Sequence, residues 1–393
     1  MQDMDYAALA LKLHKKFQGK LETSPKTPIT NKKDLATVYT PGVGAVSSFI
    51  GKNPEAVFDL TLKGRTVAVV SDGSAILGLG NLGPEAALPV MEGKCLLFKI
   101  FAGLDAFPIV LATQDAEEII SIVRGIVPTF AAINLEDISA PRCFEIEQRL
   151  QDLGIPVMHD DQHATSVVVL GALKTAIKLS GRSWAKTKVV INGAGAAGSA
   201  VAKILSCYGF DRKSCEAVAD VIILDSKGII YEGRPDLEGY KKELAKFTNK
   251  ENLRGDLETA LAGVDVFIGL SKGGILKANH IKKMAKDPII FALANPIPEI
   301  MPDEAKKLGV RFIATGRSDF PNQINNALVF PGLFKGAIAS RAKRITPTMK
   351  LKAAEALSKI LKSPTAEDFV PSIFDPRVVK DVSLAAIAAA QRK

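Results

Sequence analysis

Four carboxylates stand in two pairs, each at the end of an apolar run. Glu136 and Asp137 follow residues 130–134, and Asp160 and Asp161 follow residues 155–158. Such runs read as buried strands, and α/β sheets bind ligands beyond the carboxyl ends of their strands. Four gathered negative charges repel one another unless a cation lies between them. Oxygen donors alone select a hard ion, Mg²⁺ or Mn²⁺. The competing reading is capping, because Asp137 precedes ISAPRCFEI and Asp161 precedes a helical pattern at 165–180; aspartate there satisfies the open N–H groups of a helix start. In the HDDQH run His159 and His163 are four apart, as in the zinc helix H-E-x-x-H. That motif needs Glu after the first histidine and a helix under both. Here Asp follows and a strand runs into His159, so both histidines read as hydrogen-bonding groups.

Two residues could move protons. Lys94 lies in VMEGKCLLFKIF. Burial there disfavours the ammonium and lowers its pKa toward the range of a general base. The ordinary alternative is a solvated cation. Tyr39, beside Pro41 and Gly42, could serve as a general acid or simply pack. Asn295 closes the run at 289–293, and Asn325 lies in the amide-rich loop GRSDFPNQINN. Amides can orient a carboxylate or a nicotinamide without charge, though turn chemistry and capping use the same residues.

The element that must position these groups begins KVVINGAGAAGSAVAKIL. A strand at 188–191 runs into Gly193, Gly195 and Gly198, spaced G-x-G-x-x-G, with Ala196 and Ala197 between them and a helical pattern after. The first glycine makes the turn, the second admits a pyrophosphate, and the third lets helix pack on strand. The helix N-terminus faces the phosphates. A second run, 221–224, ends in Asp225, where a carboxylate accepts from a ribose hydroxyl; residues 207–220 look like an insertion that lengthens the usual spacing. Asp225 favours NAD over NADP, while Ser226 and Lys227 could accommodate a 2′-phosphate. An ordinary Gly-rich turn is the plain alternative.

The 393 residues predict two α/β domains, and 47% hydrophobic content supplies their cores. A smaller N-terminal α/β catalytic domain spans 1–161. A Rossmann-type doubly wound parallel sheet binding the dinucleotide spans 162–340. Helices at 341–393 fold back on the first domain. Strands are expected at 66–71, 95–101, 107–111, 130–134 and 155–158, then at 188–191, 221–224, 265–269, 289–293 and 311–314. Helices are expected at 1–20, 116–126, 142–153 and 165–180, with a glycine-rich loop after residue 71. The net charge of +9 is scattered and there is one Trp, which speaks against nucleic acid and for a general pull on anions. Cys95, Cys143, Cys207 and Cys215 form no C-x-x-C pair, so free thiols in a reducing compartment are expected. The charged N-terminal pattern is no signal peptide, and no apolar run reaches the roughly 18 residues of a membrane span. A cytoplasmic protein follows as the expectation.

The segments YTPGVG, SDGSAILGLGNLG, VMEGK, NLEDI, HDDQHAT, INGAGAAG, ALANPIPEI and GRSDFPNQINN together resemble the short, single-module form of malic enzyme, in order along nearly the whole chain. The resemblance implies oxidative decarboxylation of malate to pyruvate and CO₂, with NAD or NADP and Mg²⁺ or Mn²⁺, in a homodimer or larger assembly. By their match, Tyr39 looks like the general acid and Lys94 the general base. Glu136, Asp137 and Asp161 look like metal ligands, and Asn295 and Asn325 like substrate and nicotinamide contacts. Ala164 replaces a family glycine and is expected to tighten the backbone beside the metal. Ala75 stands where longer relatives place an arginine, so amides, Ser74, the metal or another residue must recognise the substrate carboxylate. A malolactic or oxaloacetate-decarboxylating relative would use the same site; a zinc hydrolase or a non-catalytic dinucleotide sensor would not need this set.

Overall fold

The structure is a computed structural model and describes residues 5–76 and 79–391. Most of its strands are runs of β-branched and aliphatic residues buried on both faces, the pattern of parallel strands covered by helices. Four of them, β1 (Thr66–Ser71), β2 (Asp105–Val110), β3 (Ala132–Leu135) and β4 (Val157–His159), form one parallel sheet in the order β2-β1-β3-β4. Six more form the second sheet: β5 (Lys188–Asn192), β6 (Asp220–Asp225), β7 (Gly228–Ile229), β8 (Val266–Gly269), β9 (Ile289–Ala292) and β10 (Phe312–Thr315). Their order is β10-β9-β8-β5-β6-β7, and only the short β7 is antiparallel. The chain leaves β5 toward β6 on one side and returns to β8 on the other, which opens a crevice at the carboxyl end of β5.

The Asp160–Leu179 helix joins the two sheets. Every residue from 166 to 173 is buried, so it packs on all sides. At Gly171 the helix passes the Pro347–Leu357 helix so closely that a Cβ would stand 3.0 Å from the Ala354 carbonyl oxygen. The helices Phe330–Ala339, Pro347–Leu357 and Pro376–Ala390 complete this layer. Phe98 meets Phe330 and Phe334 edge-on, with ring centres 4.7 and 5.4 Å apart. One core therefore runs continuously from Val67 and Phe98 through Val168 to Val189 and Phe291.

Three expectations need correction. Residues 95–101 are not a strand: the Pro84–Leu97 helix continues into a wider turn at Phe98–Ala102. The same helix fills part of the expected loop, starting at Pro84, the residue type favoured at a first helical position. Cys207 and Cys215 are joined in a disulfide, so only Cys95 and Cys143 are free, both buried. The loop between the Ala196–Leu205 helix and β6 turns back on itself and brings that pair together.

Residues 5–62 differ from all the rest, for none of them is buried. They contain the helices Tyr6–Phe17, Lys32–Val38 and Gly42–Lys52 and the short Val57–Leu60 helix, and touch the Pro84–Leu97 helix where the Lys20 ammonium donates to the Pro89 carbonyl at 2.7 Å.

Candidate functional site

Glu136 follows β3 directly, and its backbone N–H donates to the Val70 carbonyl of β1 at 2.8 Å. Asp137 takes a left-handed backbone conformation, φ 53°, which aspartate tolerates better than most residues. Its N–H thereby points at Asp161 Oδ2, 3.0 Å away. β4 ends at His159, and Asp160 and Asp161 open the following helix. One oxygen from each of Glu136, Asp137 and Asp161 lies within 4.8 Å of the others. Opposite oxygens around Mg²⁺ are about 4 Å apart, so these three can close on a hard ion, and the set holds no nitrogen or sulfur to favour a softer one.

Lys94 comes from the Pro84–Leu97 helix into the same place. Its ammonium lies 2.7 Å from Asp160 Oδ2 and 2.9 Å from Glu136 Oε1, with side chains only 11%, 0% and 5% exposed. It also lies 4.3 Å from the centre of the Phe330 ring, a cation–π contact. Burial pushes the Lys94 ammonium down, but the charges of Asp160 and Glu136 outweigh it and hold the pKa above its ordinary value. The expected lowering is thus reversed. Burial pushes Glu136 well up, helped by Asp160, Asp161 and Asp137 and opposed by Lys94. A carboxyl that resists ionisation among other acids has the electrostatics a divalent cation would relieve.

Asp160 and Asn326 belong to this centre as well. Asn326 Nδ2 donates to Asp160 Oδ2 at 2.7 Å, and its Oδ1 accepts from Thr165 Oγ1 at 3.0 Å. Asn325 caps its own turn, its Oδ1 accepting from the Ala327 N–H, which leaves its Nδ2 available for the expected contact. The sequence pattern places Asp160 among the four gathered carboxylates but not beside Lys94, and it does not single out Asn326. The doubled acid and the doubled amide were the only signals. Tyr39 is 66% exposed at the end of the Lys32–Val38 helix, and no described hydrogen bond joins it to Lys94 or the acids. Ser74 is occupied too, since its hydroxyl donates to Asp72 Oδ1 at 2.6 Å and accepts from the Ser139 N–H. Ala164 is fully buried in the main core, so its methyl packs among side chains. His163 bonds Glu147 at 2.8 Å, while His159 precedes the helix. The pair therefore does not present the one helical face that a zinc motif requires.

At the other sheet, β5 leads into the glycine turn and the Ala196–Leu205 helix. A Cβ on Gly193, where φ is 126°, would meet the Leu270 carbonyl oxygen at 2.4 Å, and one on Gly198 would meet the Gly193 oxygen at 1.7 Å. Gly195 has no atom within 4 Å of that place, so open space lies over the middle glycine, where a pyrophosphate would lie. Asn295 follows β9, and its amide lies 2.8 Å from where Gly316 would carry a Cβ.

Residues 18–151 match the family described as malic enzyme, N-terminal domain, and residues 163–391 match malic enzyme, NAD binding domain. The chain belongs to the malic enzyme family. It is 51% identical over 385 residues to the bifunctional malic/malolactic enzyme of Bacillus subtilis, covering 97% of this chain and 92% of that one. It is 52% identical over 377 residues to the NAD-dependent malic enzyme of Geobacillus stearothermophilus, covering 95% and 77%. The NADP-dependent malic enzyme of Halomonas elongata is 42% identical over 400 residues, covering 97% and 92%. Among solved structures, the NAD-dependent malic enzyme of Thermotoga maritima superposes with a TM-score of 0.91 at 48% identity, covering 96% of this chain and 98% of that one.

Malic enzymes of both cofactor preferences thus stand near this chain, and Asp225 must be read in its surroundings. Its two carboxylate oxygens accept from Arg234 at 3.0 and 2.6 Å, and Lys241 adds a bond of 2.7 Å. Burial raises the Asp225 carboxyl, but Arg234 and Lys241 outweigh it and bring the pKa down to about 2. The carboxylate is therefore neutralised before any ribose arrives. Among the described residues no helix is long and apolar enough to cross a membrane.

Proposed function

We propose that this chain oxidises the C2 hydroxyl of malate with a nicotinamide dinucleotide and releases the C4 carboxylate as CO₂, leaving pyruvate. The observation that carries the reading is the placement of Lys94 against Asp160 and Glu136, beside three acid oxygens within 4.8 Å of one another. When bound, a divalent ion on Glu136, Asp137 and Asp161 supplies Lewis acidity toward the oxygens of the substrate, and the nicotinamide accepts hydride.

The protein's own groups do the rest. Lys94 takes the C2 hydroxyl proton, which requires its neutral form. Its grip on a proton is set by Asp160 and Glu136, so it weakens as those carboxylates are drawn elsewhere. Asn326 holds Asp160 at 2.7 Å and keeps it facing the lysine. The Phe330 ring closes one side against water. Residues 162–340 would supply the dinucleotide site, with Asn295 among the residues that would hold the nicotinamide, and 341–393 brace residues 1–161.

The remaining proton goes to carbon from Tyr39, and we assign it to a second copy of the chain. Tyr39 sits on a segment without a single buried residue, carrying Leu9, Phe17 and Phe49 at 51, 63 and 53% exposure. Exposed apolar surface of that extent marks an interface. In a homodimer the segment lies on its neighbour and completes that neighbour's site.

Purified protein with malate, Mn²⁺ and either NAD or NADP should produce reduced nicotinamide and pyruvate together. Lys94→Ala should lower kcat/KM by about 10³-fold. No cofactor reduction with either dinucleotide would overturn the reading. Lactate without reduced cofactor would favour malolactic chemistry, which the relative from Bacillus subtilis combines with malic activity in its name.

A further inference from the structure

A second cavity, about 750 Å³, lies behind the acids, between the Arg142–Arg149 helix, the starts of the Asp160–Leu179 and Ala196–Leu205 helices, and residues 344–350. Its volume suits a small-molecule ligand. It shares no lining residue with Lys94, the metal-binding acids or the glycine turn. The rings of Phe144 and Tyr240, 4.8 Å apart, form a wall, and the Tyr240 hydroxyl donates to the Ala194 carbonyl at 2.9 Å on the dinucleotide side. The far wall is the loop held by Cys207–Cys215.

The polar lining carries donors that lack partners. Gln162 is 5% exposed, and its Nε2 has no hydrogen-bond partner, a state that costs about 1–3 kcal/mol. Arg344 and Lys350 line the cavity, and among the described residues neither forms an ion pair. The acids present are occupied. Glu147 accepts from the His159 N–H at 3.0 Å through one oxygen and meets His163 at 2.8 Å through the other, and Glu243 lies 3.4 Å from Lys203. Burial pushes the Lys350 ammonium down to about 8, with Glu147 opposing. Such a cation gains most from an anion brought in from outside.

We propose that this cavity binds a small, multiply charged anion of carboxylate or phosphate chemistry, held by Arg344, Lys350 and the Gln162 amide. Its occupant touches the turn that carries the catalytic acids, because Gln162 follows Asp161 and Glu147 holds the His159 N–H. The site stands whether or not the malate reading does.

The test is isothermal titration calorimetry on the full chain saturated with NAD, using inorganic phosphate and citrate separately without divalent ion. At least one should bind, and which of them binds identifies the chemistry. Arg344→Ala and Lys350→Met should each weaken it at least about tenfold, or 1.4 kcal/mol, while Lys94→Ala leaves it unchanged. Arg344 is exposed, so its variant keeps the fold even if the lysine variant does not. No heat from either anion up to about 10 mM overturns the proposal. So does binding that survives Arg344→Ala, or that disappears in Lys94→Ala.

Discussion

Leu9, Leu11, Phe17, Ile29, Val38 and Phe49 lie 40 to 65% exposed in a stretch where nothing is buried, whereas in the Asp160–Leu179 helix every residue from 166 to 173 is hidden. Both stretches are rich in apolar side chains. Burying one such side chain fully stabilises by about 1.5–3 kcal/mol, so a sequence does not keep many of them in water without a partner. The helix has found its partners within the chain. The N-terminal segment has not, and it carries Tyr39. Intramolecular packing thus builds the cluster of lysine and acids, and under the proposed reading association would supply Tyr39 to it.

Mixing variants breaks or sustains that comparison. Lys94→Ala and Tyr39→Phe should each lose at least about a hundredfold in kcat. If Tyr39 serves a neighbour, a mixed dimer holds one site with both groups intact. Random mixing after dissociation should then restore about a quarter of wild-type activity, by the statistics of dimer exchange. A mixture as inactive as its components would place Tyr39 and Lys94 on one chain.

A second intervention acts on the segment alone. Leu9→Ser with Phe17→Ser removes apolar surface from the uncovered region and leaves the core untouched. Self-association, read by analytical ultracentrifugation, should weaken about a hundredfold, equivalent to about 3 kcal/mol. Thermal unfolding of the dissociated chain should still show one cooperative transition from the continuous core. Unchanged association would show that this apolar surface is not the interface.

How far the sequence disclosed these two regions follows from what each depends on. The glycine turn was legible residue by residue, because strand, turn and helix are all local. Glu136, Asp137 and Asp161 were legible because acids at strand ends converge in this architecture. The run at 95–101 misled because an apolar stretch that short has no period separating a strand from a buried helix. Asp160 and Asn326 act through residue 94, and no spacing records that residues 94, 160 and 326 meet. The sign of the Lys94 shift was lost for the same reason: burial is visible in its neighbours, its two carboxylate partners are not. The exposed segment reads as ordinary amphipathic helix until its surroundings are seen to be missing.

The contrast between partnered and unpartnered groups recurs among charges. Asp225 is held by Arg234 and Lys241, so two cations face one carboxylate, which would repel a 2′-phosphate less than a lone aspartate does. Arg234→Ala should make that carboxylate more negative in effect. The ratio of kcat/KM for NADP to that for NAD should fall about tenfold, a difference of 1.4 kcal/mol. A ratio that rises, or stays level, would remove Arg234 from cofactor discrimination.

Lys350 is the opposite case, and its expected effect is the smallest. Burial brings its ammonium from an ordinary 10.5 down to about 8, so the folded chain holds that proton less tightly than the unfolded one. Between those two values the unfolded chain binds more protons, and stability rises with pH. Below about 8 both states are charged and the folded state bears the whole cost. Lys350→Met removes the cost and should raise the melting temperature at pH 7, by an amount equivalent to about 1–3 kcal/mol. The advantage over wild type should shrink as pH rises from 8 and vanish near 10.5. A bound anion would restore the missing partner, so saturating phosphate or citrate should narrow the same gap at pH 7. An advantage independent of pH would mean that packing, and not an uncompensated charge, separates the two proteins.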